Sequence, residues 1–145
     1  MKCLIQRVTE ATVRVDGEVL GQIGPGLLVL AGVEKGDDQA RVERMVERLL
    51  GYRVFTDHQG KMNLSVSDVD GGLLVVSQFT LAADTRKGTR PSFSSAAEPG
   101  AAKALFDLLL DRLSASHSKV ATGRFGADMQ ISLVNDGPVT FMIES

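Results

Sequence analysis

The sequence predicts an α+β domain in which a curved, mainly antiparallel sheet carries two amphipathic helices. Three observations predict it. Strand-like runs bounded by turn signals occupy both ends of the chain, two stretches have helical spacing, and no internal repeat or second domain appears. At 145 residues, 43% of them hydrophobic, the chain suffices for one domain spanning 1–145 around a single core. No apolar run approaches the roughly 20 residues that cross a bilayer, and Met1-Lys2-Cys3-Leu4-Ile5 leads into strand-like sequence rather than a cleavable leader. A cytoplasmic protein without membrane contact is therefore expected.

The elements follow in order. Residues 1–8 alternate loosely; Ala11, Val13 and Val15 then alternate with Thr12 and Arg14, Asp16-Gly17 turns the chain, and Val19 to Ile23 resumes the alternation, as a hairpin does. After Gly24-Pro25-Gly26, the apolar run Leu27 to Val33 has the character of a central strand. Asp37 or Asp38 caps a helix whose dry face is Val42, Met45, Val46, Leu49 and Leu50, with Gly51 as its C-terminal cap. Tyr52 to Phe55 reads as a strand, Asp57 to Gly60 as a turn around His58, and Lys61 to Val66 as the return. Leu73 to Leu81 is expected to be one buried strand. Residues 82–98 show no periodicity, Pro99 opens a second helix with a stripe of Ala101, Ala104, Leu105, Leu108, Leu109 and Leu113, and His117 falls in a Ser-rich linker. Lys119 to Thr122 is a short strand. Two further strand-like runs, Ala127 to Leu133 and Val139 to Ile143, flank a bend at Asn135-Asp136-Gly137-Pro138.

The chemistry concentrates where apolar runs end. Ser77, Gln78 and Thr80 close the Leu73–Leu81 run, and a buried polar group without a partner costs roughly 1–3 kcal/mol. They either bond neighbouring backbone at a wet strand end or emerge into a site. Arg86, Lys87 and Arg90 are the densest cationic cluster, readable as a solvated loop or as a local anion site. A net charge of −2 argues against coating nucleic acid by bulk attraction. The lone Cys3 excludes an internal disulfide, and with only His58 and His117 beside it no zinc set has usable spacing, so neither metal nor cofactor is expected. Ser77 lacks the glycines of a nucleophile elbow, which disfavours a Ser-His-acid triad. Asp68, Asp70, Asp84, Glu98 and Asp136 lack the regular spacing of paired catalytic carboxylates, and no phosphate-binding glycine loop is present. What remains is a site of hydroxyls, an amide and backbone groups. Such a site hydrolyses an activated ester when N–H groups face the developing oxyanion, each supplying roughly 3–4 kcal/mol, with water as nucleophile.

The segments Ser77-Gln78-Phe79-Thr80-Leu81 and Asn135-Asp136-Gly137-Pro138-Val139-Thr140, joined by Lys87-Gly88-Thr89-Arg90-Pro91-Ser92-Phe93 and Phe125-Gly126-Ala127-Asp128-Met129, resemble those of the D-aminoacyl-tRNA deacylases of bacterial and eukaryotic type. Tyr52-Arg53-Val54-Phe55 and Gly60-Lys61-Met62-Asn63 also follow the family pattern, so the resemblance covers the whole chain. It implies a barrel-like core and a metal-free homodimer that removes D-amino acids, and mischarged glycine, from the 3′ end of tRNA. It implies Ser77, Gln78 and Thr80 at the scissile ester, with Phe79 beside them and backbone N–H groups as oxyanion donors. The terminal ribose 2′-hydroxyl would replace a protein base. By the same resemblance Gly137 and Pro138, joined by a cis peptide, enter the partner subunit's site and turn two successive carbonyls to the substrate's α-amino group, which excludes L side chains. Phe125 and Met129 would wall the terminal adenine, although core packing accounts for Met129 equally well. Arg86, Lys87 and Arg90 would meet tRNA phosphates, and Arg7 would hold the Gly-Pro segment unless it is simply an exposed strand arginine. The competing readings are a dimeric module that binds the tRNA end without turnover and a general serine esterase.

Overall fold

The computed structural model describes all residues, Met1–Ser145, and its sheet is assembled on the first strand, β1 (Lys2–Val15). Asp16 and Gly17 take positive φ of 49° and 80°, the geometry that a two-residue hairpin turn requires. They return the chain as β2 (Glu18–Ile23), antiparallel to the far half of β1, while β3 (Gly26–Gly32) pairs antiparallel with its near half. The opposite edge of β1 is covered along nearly its whole length by β8 (Gln130–Glu144). β6 (Gly72–Ser77) adds to β3 and β7 (Val120–Thr122) to β6, both in parallel, so the sheet is mixed, with antiparallel pairing predominant. The order β2-β1-β3-β6-β7 curls until β7 approaches β2, where a Cβ on Gly21 would lie 2.7 Å from the Thr122 carbonyl oxygen. The result is a nearly closed, barrel-like sheet. A two-stranded hairpin, β4 (Phe55–Thr56) with β5 (Met62–Leu64), stands apart from it.

Both helices cover one face of this sheet. In α1 (Gln39–Gly51), Asp38 is the N-cap, its side chain accepting from the Arg41 N–H at 3.0 Å, and Val42, Met45, Val46 and Leu49 are buried as their spacing predicts. α2 (Pro99–Ser116) opens on Pro99 but buries Ala102, Phe106, Leu109 and Leu113, so the expected stripe is rotated by about one residue along its first two turns. The reason is compositional: leucines lie on several sides of this helix, periodicity alone does not fix its orientation, and the large Phe106 ring takes the buried side. Against the helices pack Cys3, Ile5, Leu27, Val29, Leu73, Val75 and Ile143. The other face gathers Val8, Ala11, Val13, Ile23, Leu28, Leu74 and Val76. β3 and β6 thus carry apolar residues on both sides, which explains their unbroken aliphatic sequence. No helix is long and apolar enough to cross a membrane.

Three further expectations change. The Leu73–Leu81 strand ends at Ser77, because β3 runs out at Gly32 and β7 reaches only Val75, leaving no ladder partner beyond. Tyr52, rather than Gly51, is the C-cap of α1, and of the expected Tyr52–Phe55 strand only Phe55 enters a ladder, as the first residue of β4. The two C-terminal runs form one strand, β8, with the Gly137-Pro138 segment accommodated by register shifts opposite β1 near Val8. His117 opens the linker after α2 as its C-cap, and its Nε2–H donates to the Gly71 carbonyl at 2.6 Å.

Cys3 is fully buried under the helices, and desolvation pushes its thiol up from 9.0 to about 12. The folded state therefore keeps its proton where the unfolded chain loses it, a stabilisation complete below pH 9 and lost as pH rises toward about 12. Between about pH 8 and about pH 10.5 the wild type is expected to lose about 2 kcal/mol more stability than Cys3→Ala, read by urea unfolding. Parallel losses in the two proteins would refute this burial effect.

Candidate active site

The site begins where β6 leaves the sheet. Ser77 makes the last pairing with β3, opposite Ala31, and the Gln78 N–H extends the ladder by one bond to the Ala31 carbonyl at 2.8 Å. The chain then tightens into a single 3₁₀ turn, Phe79–Ala82, in which Leu81 N–H donates to the Gln78 carbonyl and Ala83 N–H to that of Thr80. Gly32 permits this turn, since a Cβ there would meet the Gln78 carbonyl oxygen and the Leu81 Cβ at 3.0 Å each. The N–H groups of Phe79 and Thr80 make neither a ladder nor a turn hydrogen bond. They are orphaned as the first donors of any helical turn are. The Gln78 side-chain amide donates to Thr80 Oγ1, which fixes both polar side chains relative to these donors.

Beside the turn lies a cavity of about 450 Å³. Ser77, Gln78 and Phe79 line it together with Phe125 and Met129, so five of the sequence-predicted residues are brought to one place. Phe125 stacks at 5.9 Å on Phe106, and Met129 also packs against the second core face. Phe79, 61% exposed, leans on Phe93 with ring centroids 5.2 Å apart. The sole titratable side chain of the lining is the exposed Asp128, and no histidine borders it. A larger, more open hollow of about 750 Å³ lies at the other end of β6, around Gly71 and Lys119, and contains none of the predicted residues. Its volume is no argument for function, because it brings together no chemistry beyond the Lys119–Asp70 ion pair.

Thr80, Gly137 and Pro138 stand exposed outside the lining, and the half-buried Arg7 also lies outside it. The Gly137-Pro138 peptide is cis, and both residues are exposed on β8. Arg7, on β1, donates through Nε to the Asp136 carbonyl at 2.8 Å and through Nη1 to the Val54 carbonyl at 2.7 Å, so it is a bonded brace rather than a free strand arginine. In the loop after the 3₁₀ turn, Arg86 forks onto Asp84 at 2.9 and 2.7 Å. That hydrogen-bonded guanidinium holds the Asp84 carboxyl far below the usual carboxylate range. Lys87 and Arg90 are exposed and form no ion pair, so they carry the loop's uncompensated charge. Sequence reasoning missed Phe93 and Phe106 as supports of the two site aromatics. Phe93 sat in a quoted motif without a partner to name, and the all-round apolarity of α2 hid Phe106.

The chain matches the family model described as D-Tyr-tRNA(Tyr) deacylase over residues 4–144. It belongs to the D-aminoacyl-tRNA deacylase family. It is 64% identical over 145 residues to the D-aminoacyl-tRNA deacylase of Stutzerimonas stutzeri, covering 100% of both chains, and 60% identical to that of Escherichia coli O1:K1, covering 99% of each. A solved structure named c-Myc DNA Unwinding Element Binding Protein superposes with a TM-score of 0.96 at 41% identity, over 100% of this chain and 99% of that one. Membership makes this chain an ester hydrolase, in keeping with a cavity bordered by the Ser77 hydroxyl, the Gln78 amide and Phe79 with its free N–H.

Proposed function

We propose that this deacylase-family chain hydrolyses the ester joining a D-amino acid, or mischarged glycine, to the 3′ end of tRNA. The observation that carries the chemistry is the pair of unbonded N–H groups at Phe79 and Thr80, set beside a cavity that no histidine borders and whose one titratable side chain is the exposed Asp128. Water attacks the ester carbonyl carbon, its oxygen develops negative charge against those two donors, the bond to the ribose oxygen breaks, and that oxygen takes the proton. The amino acid leaves as its carboxylate. The ribose 2′-hydroxyl next to the ester serves as the proton relay that the lining lacks. Ser77, Gln78 and Thr80 hold water and ester in register, while Phe125 and Met129 receive the terminal adenine. Lys87 and Arg90 reach the preceding phosphates, with Arg86 contributing through its outer edge.

Selectivity comes from a second copy of the chain. Gly137 and Pro138, exposed and braced by Arg7, project from β8 beside the exposed apolar residues Val134, Phe141 and Met142, a surface suited to a homodimer that places this segment in the partner's cavity. Their carbonyls accept from the α-amino group and leave no volume for an L side chain. Charged tRNA as substrate places this proofreading in the cytoplasm.

The deciding experiment is release of labelled amino acid from D-tyrosyl-tRNA and L-tyrosyl-tRNA in parallel, with and without a chelator. Rapid release from the D ester alone, unchanged by chelation, is the expected result. Equal release from both esters overturns the chiral reading, and tight binding of either without turnover makes the chain a tRNA-end binding module.

A further inference from the structure

We infer that Asn135 is a positioning residue for stereochemical discrimination, acting as the second of two clamps that hold the Gly137-Pro138 segment; this rests on the deacylase reading above. The segment, residues 136–139, is four residues without a ladder partner inside an otherwise paired strand, flanked by Asn135 on one side and Thr140 on the other. Arg7 secures its leading end through the Asp136 carbonyl at 2.8 Å. Asn135 secures both ends to each other. Its Oδ1 accepts from the Val139 N–H at 2.8 Å, and its Nδ2 donates to the Val139 carbonyl at 3.2 Å. The same Nδ2 donates to Thr140 Oγ1 at 3.1 Å, and that hydroxyl also accepts from Gln6 Nε2 at 3.4 Å across the ladder.

These bonds use both halves of one carboxamide. An acceptor for an N–H and a donor for a C=O of the same residue are needed at once, which among side chains of this length only asparagine supplies. Val139 is buried, so the far end of the segment is anchored in the core while Gly137 and Pro138 stay exposed. The side-chain hydrogen bonds that hold the peptide between the clamps are those of Arg7 to Asp136 and of Asn135 to Val139. Discrimination by backbone carbonyls depends on where those carbonyls stand to within a fraction of an ångström, whereas hydrolysis at the Phe79 and Thr80 donors does not. Loosening the segment therefore admits L side chains more than it slows the D reaction.

The test compares the wild type with Asn135→Ala and Asn135→Asp on D- and L-tyrosyl-tRNA, together with amide exchange at Val139. Loss of both bonds in Asn135→Ala is expected to lower the ratio of D to L kcat/KM by about tenfold or more, chiefly by raising the L rate. The Val139 amide should exchange at least about tenfold faster. Asn135→Asp keeps the acceptor and loses the donor, so it should recover Val139 protection and part of the ratio. If the wild type discriminates and Asn135→Ala keeps the wild-type ratio, the inference fails although the deacylase reading stands. If the wild type shows no preference for the D ester, the deacylase reading has failed instead. Should Asn135→Ala not fold, Thr140→Val, which removes only the outer hydroxyl, decides: a lowered ratio supports the clamp, and an unchanged ratio with unchanged Val139 exchange overturns it.

Discussion

Phe79→Pro is expected to lower kcat/KM on D-aminoacyl-tRNA by about 10²–10³-fold more than Phe79→Ala does, with the fold intact in both. Both variants lose the ring that leans on Phe93; the proline additionally deletes the backbone N–H. The position tolerates it. Proline fits the first residue of a helical turn, and the residue before it must stay out of the α region, as Gln78 does with φ of −143° and ψ of 81°. No intrachain hydrogen bond is lost, because this N–H makes none in a ladder or turn. Any excess loss in the proline variant then belongs to the reaction and should fall on kcat, since an oxyanion donor acts in the transition state. Equal rates for the two variants would remove the Phe79 N–H from the mechanism, and circular dichroism would verify that each is folded.

The largest expected effect on stability is at Gly26. It lies opposite Gly72 in the parallel pairing of β3 with β6, and a Cβ on Gly26 would come 2.0 Å from the Gly72 carbonyl oxygen and 2.6 Å from its nitrogen. Both obstacles are backbone, which cannot rotate aside as a side chain can. Gly26→Ala must push apart the two strands whose far ends, at Ala31 and Ser77, position the 3₁₀ turn. A loss of about 4 kcal/mol or more is expected, read by urea unfolding. Gly24→Ala, two residues earlier and with open space around its Cβ, should change stability by less than about 1 kcal/mol. If the two alanines behave alike, close approach of backbones is not what selects glycine here.

The sequence made some of this readable and concealed the rest for definable reasons. Aliphatic runs such as Leu27 to Leu30 and Leu73 to Val76 declared strands buried on both faces, and Asp16-Gly17 declared its hairpin, because these signals are local. The end of β6 at Ser77 was not local: it depends on where β3 and β7 stop, both of which lie more than forty residues away. The same holds for α2, whose buried side is set by the sheet it meets rather than by its own leucines. At the site, Ser77, Gln78, Phe79, Phe125 and Met129 were legible through motif resemblance, and the structure brings them to one cavity. Backbone donors have no residue identity, so Phe79 and Thr80 entered the sequence argument through their side chains. Their free N–H groups became visible only with the turn that orphans them.

The pairing of β1 with β8 joins residues as far apart as Lys2 and Glu144, and it carries a consequence for how the molecule is made. During synthesis β1 leaves the ribosome first and finds β2 and β3 within a few dozen residues, while its other edge stays bare until the last strand emerges. Contacts of such high sequence separation close late, and an unpaired strand edge is a template for association with other chains while it waits. Arg7 and Asp136 meet only across that same seam. The brace on the Gly137-Pro138 segment is therefore among the last parts to assemble, and under the proposed mechanism a nascent or partly unzipped chain would form its 3₁₀ turn before it secured the segment assigned to telling D from L.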